Sequence, residues 1–183
     1  MVATCRIAAE GGQYDEDEDQ RISHLEFVGL HDAVDYLDVE FEAWRVSANI
    51  RQKIGLVCDV DRSTDRPRHQ LILSKHNFSV TPFEIEAILE IMSREPAHVV
   101  KIACKAVGLV DALRMLDALR ASAAVRPTIA LAMGEAGILT RVLGKKYGAL
   151  LTFAAIESGK ESAPGQVSLA DMKQLYRWDS IGA

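Results

Sequence analysis

Short apolar runs alternate along this chain with segments of helical period, and that alternation restricts the fold more than any other feature. The runs are MVATCR, DYLDVEF, QLILSKH, HVVKIAC, TIALAM and LLTFAAI, and each reads as a strand. Between them, TPFEIEAILEIMSR puts Ile85, Ile88, Leu89 and Met92 on one helical face, with Thr81 expected to cap, Pro82 at the first helical position and Glu84 closing a capping box. GLVDALRMLDALRAS repeats the pattern with Leu109, Ala112, Leu113, Leu116 and Leu119 inward, and SLADMKQLYR starts on a Ser168 cap with Asp171 three residues on. Successive units lie about 30 residues apart, the spacing at which a crossover helix returns the chain to a parallel neighbour. Nearly continuous apolar strands suit a parallel sheet covered on both faces, so the fold class is α/β, an open sheet or a (β/α) barrel. Arg6, Glu40 and His76 at strand ends, and Lys101 near one, favour the TIM-barrel type, which carries its chemistry at the C-terminal ends of its strands.

At 183 residues, 49% hydrophobic and 26% charged, the chain is expected to form a single domain over 1–183 with a substantial core. A net charge of −5 offers no basic footprint for a phosphate backbone, so nucleic acid is not an expected partner. No stretch is apolar for the length of a bilayer span and the N-terminus has no signal-peptide pattern, which leads us to expect a soluble, cytoplasmic protein without a membrane partner. Cys5, Cys58 and Cys104 are an odd set without metal-ligand spacing; they read as reduced, mostly buried thiols rather than a disulfide framework or a zinc site. YDEDEDQ reads as the solvated start of a helix, where carboxylates suit the dipole, and DVDRSTDRPRH as an exposed loop before the third strand.

Lys101 is the sharpest candidate for chemistry. It stands in HVVKIACKAVG between Val99, Val100, Ile102 and Ala103, and desolvation by such neighbours would supply the neutral amine that a carbonyl substrate needs for a Schiff base. The plainer reading, a buried stem with its head in solvent, is favoured by the local sequence alone; Lys105 is a rival amine past the apolar centre. His76 ends a strand, and alternation places it with Ser74 on the face opposite Lys75, as a proton shuttle or a structural histidine. In TCRIAAEGGQ, Arg6 suits an anionic or hydroxyl-bearing substrate and Glu10, before Gly11-Gly12, suits the orientation of a histidine; an ordinary surface pair is the alternative. Arg141 follows the TIALAM strand as a carboxylate clamp or a solvated helix arginine. Ser162 and Gln166 lie in GKESAPGQVS, a turn-rich loop that serves as a lid or as a plain connection.

Together TCRIAAEGGQ, LILSKHNFSVTP, VVKIA, AMGEAGILTRVLG and LLTFAAIESGKESAPGQVSLADMKQLY resemble, in order and over almost the whole chain, the type I 3-dehydroquinate dehydratases, Schiff-base lyases of the shikimate pathway in aromatic amino acid biosynthesis. The resemblance implies a (β/α)8 barrel, 3-dehydroquinate as substrate, and no metal or cofactor. It implies Lys101 as the Schiff-base lysine, His76 as the acid–base and Glu10 as its orienting partner. Arg141 is implied as the carboxylate clamp, Arg6, Ser162 and Gln166 as substrate contacts, and Met133 and Phe153 as lining. Asn77 departs from the family's aspartate after the histidine. MVATCR matches the family's third strand, so the first two βα units and the second strand's glutamate and arginine have no counterpart. Apolar edges at Val2–Arg6 and Leu150–Ile156 then lead us to expect a homodimer, a re-closed smaller barrel or a fragment of a longer protein, and LYRWDSIGA resembles the junction to shikimate dehydrogenase in bifunctional relatives. The competing reading is an impaired or non-catalytic remnant acting in assembly or regulation; a different Schiff-base barrel, such as an aldolase, is disfavoured by ESAPGQ.

Overall fold

The structure, a computed structural model, describes residues 1–58 and 69–182. Five strands, β1 (Val2–Thr4), β2 (Tyr36–Glu40), β3 (Gln70–Asn77), β4 (Val99–Lys105) and β5 (Thr128–Met133), follow one another in the sheet in chain order. Between and after them lie α1 (Glu18–Gly29), α2 (Phe41–Val46), α3 (Ala48–Val57), α4 (Ile85–Ser93), α5 (Leu109–Ala123), α6 (Ile138–Leu143) and α7 (Leu169–Gln174). The β1–β2 and β2–β3 ladders are parallel, with Asp38 opposite Ile72 and Glu40 opposite Ser74. Strand order that repeats chain order, with a helical crossover at each step, is the βα rhythm expected of the sequence. Residues 59–68, which carry nearly all of the expected DVDRSTDRPRH loop, lie outside the described residues.

Contacts divide the chain into two compact units, Met1–His76 with Met92–Lys101, and Asn77–Ile91 with Ile102–Ala183. In the first, Leu37, Val39, Leu71, Leu73, Val99 and Val100 are buried, and Ile22 and Leu25 of α1, Trp44 of α2 and Ile50 and Ile54 of α3 complete the core. Asp17 caps α1 by accepting from Gln20 N, so the acidic run does lead into a helix. Lys101 is the third of seven residues in β4 rather than near its end.

In the second unit, α4 buries Ile85 and Leu89 but begins at Ile85, with the Thr81 hydroxyl donating to Lys105 O (2.9 Å) instead of capping. On α5 the inward face is Ala112, Met115, Leu116 and Leu119; Leu109 and Leu113, expected inward, are about half exposed at 56% and 49%. The expected LLTFAAI strand does not form. Leu150 N–H donates to Thr128 O (2.9 Å) and Ala155 N–H to Val167 O (3.0 Å), leaving an extended segment pinned at its two ends with only isolated bridges. Ser168 caps α7 by accepting from Asp171 N. No helix among the described residues is long and apolar enough to cross a membrane.

Candidate active site

Alternation along β2 sends Leu37 and Val39 to one face and Asp38 and Glu40 to the other, where both carboxylates are almost wholly buried. On β3 the same period pairs Ser74 with His76 and turns Lys75 away, to an ion pair with Glu42 at 2.7 Å. Lys101 shares its face of β4 with Val99 and Ala103, while Val100 and Ile102 point the other way. Only Val99 and Ala103 of its four apolar sequence neighbours therefore share the face of the ammonium.

What Lys101 meets is a carboxylate. Its Nζ donates to Asp38 Oδ2 at 2.7 Å. The other oxygen, Oδ1, accepts from Arg6 Nη2 at 2.6 Å and from the Ser74 hydroxyl at 2.5 Å. Ser74 Oγ in turn accepts from Arg6 Nη1 at 2.7 Å. Burial of Asp38 favours its neutral form, but the Lys101 ammonium and Arg6 guanidinium, with hydrogen bonds from Lys101 and Ser74, outweigh it and hold the carboxyl well below the usual carboxylate range.

The loop that carries Arg6 and Glu10 is tied down from below. Arg21 on α1 is completely buried; it makes a two-point contact with Glu18 (2.7 and 2.6 Å), donates to Glu40 Oε2 at 2.7 Å and to Cys5 O at 2.7 Å. Burial works against its charge, yet Glu18 and Glu40 overcome that and raise its pKa. Glu40 Oε1 also accepts from Ile7 N at 3.2 Å and lies 3.1 Å from Arg6 Nη1. Next comes a 3₁₀ turn over Ala8–Glu10, after which the backbone doubles back so tightly that a Cβ on Gly12 would lie 1.9 Å from Arg6 O. Glycine is the residue such an approach demands.

Glu10 uses one oxygen twice. Its Oε2 accepts from His76 N and from His76 Nδ1, each at 2.9 Å. With Nδ1–H given to the carboxylate, Nε2 is left as the basic nitrogen. Burial is the largest influence on this imidazole and lowers its pKa from the ordinary 6.5; Glu10 opposes the shift, and the charges of Arg6 and Lys101 add to it.

In the second unit Arg141 is not a solvated helix arginine. It is 1% exposed, its two terminal nitrogens donate to Phe153 O and Pro164 O at 3.3 Å each, and its Nε has no partner among the described residues. Burial without a carboxylate beside it pushes the guanidinium down to about 10. Ser162 and Gln166 hold each other: Ser162 N donates to Gln166 Oε1 at 2.8 Å and Gln166 Nε2 to Ser162 Oγ at 3.1 Å. Their loop seats against Gly134, whose N–H donates to Pro164 O, and Gly165 runs at φ +73° with no room for a Cβ beside Gly134 O (2.3 Å). Met133 is buried and Phe153 partly so.

The structure thus gathers Arg6, Glu10, His76 and Lys101 in one unit, and Arg141, Ser162 and Gln166 in the other. Asp38, Glu40 and Arg21 are central to the first group; Glu40 stands out in the sequence only as a polar strand end with no role attached, and Asp38 and Arg21 do not stand out as chemical candidates. Two acids at i and i+2 inside the apolar run YLDVE were the available signal for Asp38 and Glu40; for Arg21, one cation after an acidic run is a weak one.

Parallel strands joined by helices give the chain the fold of known barrel dehydratases over a partial length. The type I 3-dehydroquinate dehydratase of Clostridium difficile, solved with covalently modified comenic acid, matches 98% of this chain and 69% of its own at a TM-score of 0.80 and 26% identity. The 3-dehydroquinate dehydratase of Geobacillus kaustophilus matches 96% and 66%, also at 0.80, with 27% identity. A profile of the type I 3-dehydroquinase family matches residues 1–183, and the chain belongs to that family. The 3-dehydroquinate dehydratase of Dehalococcoides mccartyi is 33% identical over 97% of this chain and 74% of its own length. The chloroplastic bifunctional 3-dehydroquinate dehydratase/shikimate dehydrogenase of Arabidopsis thaliana is 36% identical, and the chain spans 28% of it.

Proposed function

We propose that this chain is a 3-dehydroquinate dehydratase that eliminates water through a Schiff base on Lys101. The observation that carries the reading is the joint placement, on adjacent strands, of the Lys101 amine and an imidazole oriented by Glu10. Family membership supports the substrate. Lys101, as the neutral amine, attacks the C3 ketone, and the resulting iminium draws electrons from the C2–H bond. Nε2 of His76 takes the C2 proton and later gives one to the C1 hydroxyl, which leaves as water. Arg6, Ser162 and Gln166 are proposed as substrate contacts on the family resemblance. Arg141 is proposed to receive the substrate carboxylate, and its buried, underused guanidinium supports that role.

Incubation with 3-dehydroquinate and borohydride is expected to leave one reduced adduct, on Lys101, by peptide mass spectrometry. A native circular dichroism spectrum with no adduct overturns the assignment in favour of a non-catalytic family member.

The His76 environment fixes a pH dependence. Because its pKa lies below 6.5, the acid limb of kcat/KM is expected below that value, with the base still neutral where a free imidazole is half protonated. Folding stability follows the same sign. The unfolded chain takes up this proton first as pH falls, so the histidine's contribution is complete above 6.5 and is lost as pH drops through the window beneath it. Glu10→Gln removes the negative charge from the partner whose hydrogen bond raises this pKa, so the acid limb should move lower still. A limb that moves upward in Glu10→Gln contradicts the role given to Glu10.

A further inference from the structure

Asp38 is a carboxylate with 1% exposure set against the amine assigned as nucleophile. Buried ion pairs rarely add stability over apolar replacements of similar size, so a purely structural reason for this charge is weak. Its oxygens are also divided: Oδ1 is held by Arg6 and Ser74, and Oδ2 faces Lys101. We propose that Asp38 is the counter-ion of the Lys101 iminium, anchoring the nitrogen before attack and neutralising it afterwards. The inference rests on the reading of Lys101 as the Schiff-base lysine.

The atom balance fits this geometry. An ammonium carries three N–H protons. One is given up so that the neutral amine can attack the ketone and the C–N bond form; that proton and a second then leave with the carbonyl oxygen as water, and the iminium nitrogen keeps the third. Charge is conserved, so the site holds one cation before and after, and no outside acid or base is consumed. The retained N–H takes over the 2.7 Å bond to Oδ2. A preorganised anion at this point favours the cationic intermediate, where a neutral or mobile group would have to reorganise. The charges and hydrogen bonds already described keep Asp38 ionised in the resting enzyme.

The test is the rate of adduct formation at saturating 3-dehydroquinate, read by rapid mixing, borohydride quench and mass spectrometry. At saturation a loss of binding alone leaves that rate unchanged. Asp38→Asn keeps the side chain's size and removes its charge; trapping is expected to slow on the order of a hundredfold, with Asp38→Glu recovering part of the loss by restoring the charge. Ser74→Ala, a smaller change that removes one of the two donors on Oδ1 and leaves Arg6 in place, is expected to slow trapping about threefold and keeps the question answerable if Asp38→Asn does not fold. Wild-type trapping rates in a folded Asp38→Asn, or in Ser74→Ala when Asp38→Asn is unfolded, overturn the counter-ion role alone. No adduct in the wild-type protein overturns the Schiff-base assignment and the counter-ion with it.

Discussion

Lys101→Ala is expected to abolish the borohydride-trapped adduct and to lower turnover by a factor on the order of 10⁴ or more, since the covalent route is lost rather than slowed. The measurement is dehydration of 3-dehydroquinate followed by product absorbance, beside intact-protein mass spectrometry. Turnover within tenfold of the wild type would mean that the reaction does not pass through this amine. The substitution also removes one of the two cations that hold Asp38 ionised. Arg6 and Ser74 remain on Oδ1, so the carboxyl moves back toward its ordinary range. Its stabilising contribution, present above about pH 4, then fades less steeply in acid. Circular dichroism at neutral pH therefore suffices to separate lost chemistry from a lost fold.

Arg21→Met is expected to lower unfolding free energy by about 3 kcal/mol, read from urea denaturation, although Arg21 is proposed to touch no substrate. The magnitude follows from burial. An exposed ion pair contributes about 0–1 kcal/mol, but Arg21 is fully buried and leaves behind Glu40, itself 0% exposed. Arg6, at 3.1 Å from Glu40, retains one cation beside it, which keeps the loss at the lower end of the range for a stranded buried charge. The same guanidinium holds Cys5 O, so the loop bearing Arg6 and Glu10 loosens with it. A loss under about 1 kcal/mol would show that Glu40 finds other compensation.

The βα rhythm was legible because apolar runs and helical faces are both local patterns. Where reading failed, the deciding partner lay elsewhere in the chain. LLTFAAI has the composition of a strand, but a strand needs a neighbouring backbone along its length, and the backbone bonds of Leu150 and Ala155 lie at the two ends of the segment. On α5, Leu109 and Leu113 fit one apolar stripe and Met115 and Leu119 an overlapping one; the second is buried, and sequence period alone does not choose between them. Thr81 had the right spacing for a cap, and the carbonyl of Lys105 claims its hydroxyl.

The candidate site divides in the same way. Arg6, Glu10, His76, Lys101, Arg141, Ser162 and Gln166 were reached by family resemblance more than by local chemistry, which left each with a plainer reading. Asp38 was passed over because an apolar run draws attention to its hydrophobic residues. Strand register, which sets β2 between β1 and β3 and brings Arg6, just past β1, and Ser74 of β3 onto one carboxylate oxygen, reveals the acid beneath the amine.

One oxygen of Glu10 bonds both the backbone and the ring of His76. A ring tied only at Nδ1 can still swing about its own side-chain torsions while the carboxylate follows. Here the carboxylate is pinned to the main chain of the very residue it orients, so such a swing would break one bond or the other. The imidazole behaves as an extension of β3, and its rotational freedom is surrendered once, during folding, and need not be lost again when the site is filled.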